Sequence, residues 1–258
     1  MTRKKNVPVD RTSLCNFLTE TLNLTAIADF SCNGLQVEGS AEVKRIALAV
    51  DACMESYRYA VKHSCDMLLV HHGIIWGGLT KITGPVHTQI KYLIAHDINL
   101  FAAHLPLDLH QTLGNNAQLA ELLGLKKRTP FGLYKGVTIG FEGIAPSGTT
   151  LDSIVDRLCR KLDTECTVLP FGNEKISRIA IVSGGGSAEL GEAIEKGVDC
   201  FITGESSHEN YHAALEAKIN VIYAGHYHTE KVGVQAVGAL LEKQFGIETF
   251  FCDVPTAI

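Results

Sequence analysis

The sequence predicts an α/β protein made of two similar α/β domains that arose by internal duplication. Two observations carry this. Short apolar runs alternate with helical patterns along the chain, and three segments of the first half recur in order in the second. The 258 residues are 46% hydrophobic, which allows one to two domains and a sizeable core.

The elements follow in order. Ile46–Val50 is a strand-like run, and Met54 to Lys62 has helical spacing. Met67–Val70 is a second run, ending at His71-His72-Gly73, and Thr88 to Ala95 is helical. Ile98–Ala103 is a third run, ending at His104. Asn115 to Leu123 is a helix that Gly124 stops as a C-terminal glycine cap. Gly136–Gly143 and Cys166–Leu169 are strand-like and flank a helix from Leu151 to Leu162, with Thr149 and Thr150 as its caps. Runs of this kind predict a covered, largely parallel sheet.

The second half repeats the first. Lys44–Val50 matches Ser177–Ser183, and Cys65–His71 matches Val198–Gly204, both at an offset of 133 residues. Ile98–His104 matches Ile219–Gly225 at an offset of 121, the loss falling in the loop that carries Trp76-Gly77-Gly78.

Composition removes several function classes. The net charge is −5 and the pI about 6.1, with no dominant basic run, which argues against broad nucleic-acid binding. Arg3-Lys4-Lys5 reads as a solvated tail. No stretch reaches the roughly 20 apolar residues of a membrane span, and no secretion signal is visible. The eight cysteines form no CxxC pair and read as reduced, mostly buried thiols, so a cytoplasmic location is expected.

Ligands of open α/β sheets sit beyond the carboxyl ends of the strands. There the sequence places His71 and His72, then His104 and Asp108, then His226, His228 and Glu230. Imidazoles and carboxylates together suit Zn, Fe or Mn. A bare His-His pair is expected by chance about 0.5 times in such a composition, so position rather than pattern makes these residues candidates. His226 and Glu230, four apart, can share one face of a helix start.

Two other motifs compete. His208-Glu209-Asn210-Tyr211-His212 is an HExxH, expected by chance about 0.03 times. On a helix, His208 and His212 would bind zinc, with Glu209 as general base of a zinc peptidase. Yet the repeat puts this segment at the start of an ordinary crossover helix. Ser183-Gly184-Gly185-Gly186-Ser187 follows a strand and is either a phosphate cradle or a tight turn.

Seven motifs in order carry a resemblance. They are Asn33-Gly34-Leu35-Gln36-Val37-Glu38-Gly39, Val70-His71-His72-Gly73, His104-Leu-Pro-Leu-Asp108, Gly114-Asn115-Asn116-Ala117, Ser183-Gly-Gly-Gly186, Thr203-Gly204-Glu205 and Gly225-His226-Tyr-His-Thr-Glu230. Together they resemble the Nif-three-like family, commonly labelled GTP cyclohydrolase I type 2 homologues, in its short bacterial form. The resemblance implies a dinuclear site of two divalent ions (Zn, Fe or Mn) on His71, His72, Asp108, His226 and Glu230. Glu230 would bridge the ions, and His104 would stand beside them as a catalytic group. It also implies a toroidal homohexamer and two α/β domains: residues 1–128 plus 220–258, which bind metal, and residues 129–219. The label implies hydrolytic opening of the guanine imidazole ring with release of formate. The expected function is a dinuclear metal-dependent hydrolase acting on a nucleotide or similar phosphorylated small molecule. A metal-binding ring scaffold or chaperone without turnover is the non-enzyme alternative.

Overall fold

The structure, a computed structural model, describes residues 7–78 and 81–256. The basic segment Arg3-Lys4-Lys5 lies outside the described residues. The chain divides into two compact units, residues 1–107 with 234–254, and residues 108–233 with 255–258.

The first unit runs β1 (Val9–Asp10), α1 (Arg11–Leu22), β2 (Gly34–Val37), β3 (Glu42–Val43), β4 (Arg45–Asp51), α2 (Met54–Lys62), β5 (Met67–His72), α3 (Gly84–Ala95) and β6 (Asn99–Ala102), followed by the short helix α4 (Leu105–Asp108). The second contains α5 (Asn115–Leu122), β7 (Lys126–Tyr134), β8 (Val137–Ile144), α6 (Leu151–Leu162), β9 (Thr167–Pro170), β10 (Arg178–Val182), α7 (Leu190–Glu195), β11 (Cys200–Thr203), α8 (Asn210–Ala217) and β12 (Asn220–Tyr223). Helix α9 (His226–Phe245) begins in the second unit, and β13 (Glu248–Phe251) belongs to the first.

The first unit holds a five-stranded sheet of order β13-β4-β5-β6-β2, parallel except for β2 against β6. The second holds a six-stranded sheet of order β7-β8-β10-β11-β12-β9. Only β10, β11 and β12 pair in parallel there, so this sheet is mixed rather than largely parallel. The reason is local. Two residues, Lys135 and Gly136, join β7 to β8, and parallel pairing needs a much longer crossover. Strand β12 pairs with β11 and β9, and α5 packs on the second unit's core. These units therefore divide the chain at other points than 128 and 220.

The offset of 133 aligns β4 with β10 and β5 with β11, and that of 121 aligns β6 with β12. The same bonds recur at aligned residues. Asp66 Oδ2 accepts from the backbone N–H groups of Lys44 and Arg45, as Asp199 Oδ2 does from Ser177 and Arg178. The Arg45 guanidinium donates to His63 O and that of Arg178 to Lys196 O. Asn99 Nδ2 donates to Asp66 O, and Asn220 Nδ2 to Asp199 O. These paired bonds support the proposed duplication.

Local chemistry sets the helices. In α6, Leu151, Ile154, Leu158 and Leu162 recur at three- and four-residue spacing and are all buried. Burying each such side chain is worth about 1.5–3 kcal/mol. Thr150 caps this helix by accepting from Ser153 N, while Ser153 Oγ accepts from Thr150 N. Gly124, at φ +73°, follows α5, and Leu125 N closes back on Ala120 O. Helix α3 starts at Gly84, four residues before the predicted start, because Pro85 suits the first helical turn.

Each unit has its own core. Leu68, Val70, Leu100 and Ala102 meet Tyr57, Ala60 and Leu93 in the first. Ile179, Ile181, Ile202 and Ile222 meet α5 and α6 in the second. The cysteines are free thiols. Cys65, Cys200 and Cys252 are buried, whereas Cys32 is exposed. Burial pushes the Cys65 and Cys252 thiols up to about 12, which suppresses the reactive thiolate.

Candidate metal centre

The first unit gathers three histidines where β5 and β6 end. Strand β5 extends through both His71 and His72, because His72 pairs in register with Asp51 of β4. His71 is fully buried, and its Nδ1 lies 2.9 Å from Ala103 O. Nδ1 of His72 lies 2.8 Å from Asp51 Oδ1. His104, just past β6, places Nδ1 at 3.0 and 3.1 Å from the two oxygens of Asp29. Each contact holds the Nδ1 edge on an acceptor, leaving Nε2 as the nitrogen that could coordinate, an arrangement that also orients metal-binding imidazoles. One ring nitrogen from each of His71, His72 and His104 lies within 4.8 Å of the others.

The Asn33–Gln36 motif builds the floor of this cluster. Asn33 Oδ1 accepts from His104 N at 2.7 Å, and Asn33 Nδ2 donates to Asp29 at 2.9 Å. Gln36 Oε1 accepts from Ile74 N and Ile75 N, which pins the loop after the histidine pair. The Asp29 side chain is 3% exposed. Burial pushes its carboxyl up, but hydrogen bonds from His104 and Asn33 outweigh that and hold it well below the usual carboxylate range.

The second unit holds its own group of carboxylates with one imidazole. His226 opens α9, and Glu230 stands one turn later on the same face. Nε2 of His226 lies 3.0 Å from Glu230 Oε2, and Nδ1 lies 2.5 Å from Glu205 Oε1. Burial alone would lower the His226 pKa, but Glu230 and then Glu205 raise it to about 9. A positive charge is therefore favoured between two carboxylates, one of which, Glu230, is buried. Asp108, also buried, accepts from Asn115 Nδ2 at 2.8 Å and Ser183 Oγ at 3.0 Å through the same oxygen, Oδ1. Asn115 Oδ1 in turn accepts from Gly233 N of α9.

The glycine-rich turn after β10 makes room for this cluster. Gly184 sits at φ +61°, and a Cβ there would run into the Glu230 carboxylate. Its N–H donates to Thr229 Oγ1, and its carbonyl accepts from Gly204 N, Glu205 N and Thr203 Oγ1. Those groups serve the turn and the approach to Glu230, which is the tight-turn reading of the motif.

The HExxH reading is overturned. Helix α8 begins at Asn210, so His208 and Glu209 precede it. His208, Glu209 and His212 are exposed, and among the described residues they belong to no group positioned to hold a metal ion. Three partners escaped the sequence reading. Asp29 lies in no strand-end motif, Asp51 ends β4 but was not singled out, and Glu205 lies in a motif but gave no sign that it would hold His226.

The donor set of imidazoles and carboxylates fits a divalent transition ion. Among the described residues, no helix is long and apolar enough to cross a membrane.

The family described as Duf34/NIF3 (NGG1p interacting factor 3) matches residues 9–257. A protein of Archaeoglobus fulgidus named GTP cyclohydrolase 1 type 2 homolog is 48% identical over 93% of this chain and 96% of its own. One of the same name from Pyrococcus horikoshii is 46% identical over 97% of this chain and all of its own. Among solved structures, the protein ybgI, described as of unknown function, superposes with a TM-score of 0.90 at 34% identity, covering 97% of this chain and 100% of that one. TTHA1606 of Thermus thermophilus superposes with a TM-score of 0.88 at 39% identity, with the same coverage. With its sequence and its α/β fold both matched over nearly the whole length, the chain belongs to the Duf34/NIF3 family.

Proposed function

We propose that this chain is a dinuclear metal-dependent hydrolase acting on a nucleotide or a similar phosphorylated small molecule. In this reading His71, His72, Asp108, His226 and Glu230 hold two divalent ions, Zn, Fe or Mn, with Glu230 bridging them. The observation that carries it is the common posture of the imidazoles. His71, His72 and His226 each have Nδ1 fixed on an oxygen acceptor, as second-layer partners fix metal ligands. The relatives' shared name supports the reaction class.

When bound, such ions supply a hydroxide near neutral pH and polarise the attacked atom. The chain's own residues do the rest. Asp29 holds Nδ1 of His104, so that Nε2 is the atom that takes up or delivers a proton. Asn115 and Ser183 orient Asp108 by donating to its Oδ1. The working assembly proposed is a homohexameric ring, which light scattering would show as six times the 28.0 kDa chain mass.

Metal analysis of the purified protein, followed by a hydrolysis screen over a nucleotide panel on the same sample, tests the reading. Two ions per chain and turnover of at least one compound are expected, with both lost in His71→Ala/His72→Ala. Full metal occupancy with no turnover anywhere on the panel would instead favour a ring scaffold.

A further inference from the structure

The second unit carries a cavity of about 540 Å3 that the proposed metal ligands do not use. That volume lies within the range of small-molecule sites, about 300–1,000 Å3. It borders the proposed metal half-site through Glu205, a lining residue whose carboxylate holds Nδ1 of His226. Thr164, Thr167, Ser206 and Thr256 line it, with Glu165 as a second acidic residue and His228 as an imidazole. Among the described residues, no lysine or arginine is part of this lining. Lys231 lies nearby, with Nζ 3.4 Å from Nδ1 of His228, but does not line the cavity.

This chemistry selects a ligand. A phosphate entering here would meet two acidic residues, with His228 the one lining imidazole and, among the described residues, no lining lysine or arginine to offset them, and like charges at short range repel. An apolar ligand would strip water from hydroxyls without replacing its hydrogen bonds. An uncharged group rich in N–H and O–H donors satisfies carboxylates and hydroxyls together. We propose that this cavity is a subsite for the uncharged nucleoside part of the substrate, base and ribose, and that the phosphates stay outside it. The inference rests on the proposed function for its substrate class, but the cavity is formed by the second unit alone and needs no metal.

The test is calorimetric titration of the full chain, stripped of metal with a chelator, using guanosine and GTP as probes. Guanosine should bind the wild type at least tenfold more tightly than GTP. Glu165→Gln, and separately Thr167→Val, should weaken guanosine at least tenfold while metal content after reloading stays unchanged. Both residues line the cavity and are exposed, and melting curves will show that the variants fold. Absence of guanosine binding at millimolar concentration, tighter binding of GTP, or unchanged affinity in both variants would overturn the proposal. His71→Ala/His72→Ala separates the two readings. Retained metal in that variant defeats the metal assignment, whereas guanosine binding there is expected to match the wild type.

Discussion

Nδ1 of His104 lies 3.0 Å from Oδ1 of Asp29, two residues 75 positions apart. The same carboxylate accepts from Ser31 N, Leu105 N and Asn33 Nδ2. One buried acid thus sets the orientation of the histidine and of the backbone at Ser31 and Leu105.

Asp29 should make stability depend on pH. Its folded pKa lies below the unfolded value of about 3.9, so its contribution is fully present above that value and is lost as pH falls through the folded one. Asp29→Asn is expected to cost about 1–3 kcal/mol at pH 7. Urea unfolding at a series of pH values should show that difference shrinking below about pH 4. A difference independent of pH would refute the role of the charge.

Gly184 should tolerate no side chain. Gly184→Ala combines a left-handed backbone with a methyl group against Glu230, and the strain is worth about 1–3 kcal/mol. The variant should melt earlier and bind divalent metal more weakly. Gly148, also at positive φ but with nothing near its Cβ, provides the control. Gly148→Ala should lose some stability while metal binding stays as in wild type.

Glu230→Gln keeps size and helix propensity but removes the charge. Its expected outcome is weaker binding of at least one ion and loss of hydrolysis with little change in fold. If Glu230 serves only the N-terminus of α9, the change would cost about 0.3–1 kcal/mol and leave metal content intact. Elemental analysis and a melting curve on one preparation decide between them.

His208→Ala/His212→Ala should alter stability by no more than about 0.5 kcal/mol, because both side chains are exposed and away from the core. Metal content should be unchanged, as elemental analysis will report.

Thr150→Ala removes the cap of α6 and should cost about 1 kcal/mol in chemical denaturation, with activity unaffected.

Helices α2 and α6 fall where the sequence reading places them, Met54–Lys62 and Leu151–Leu162. Their signals are local. A cap, a three- to four-residue apolar spacing and a stop all lie within one helix length, so neighbouring residues suffice to read them. The pairing of His226 with Glu230 was legible for the same reason, since four residues make one helical turn. The ordered motifs that mark the family are likewise a property of the linear chain.

Tertiary structure decided what each imidazole leans on. Glu205 reaches His226 across 21 residues, Asp51 reaches His72 across 21, and Asp29 reaches His104 across 75. It also decided that His208 stands before its helix rather than on it, and that Gly184 is small because Glu230 lies against it. Periodicity and capping carry no information about such pairs. Which strand ends lie side by side depends on sheet order, and sheet order is settled by burying two apolar cores at once, a balance summed over the whole chain.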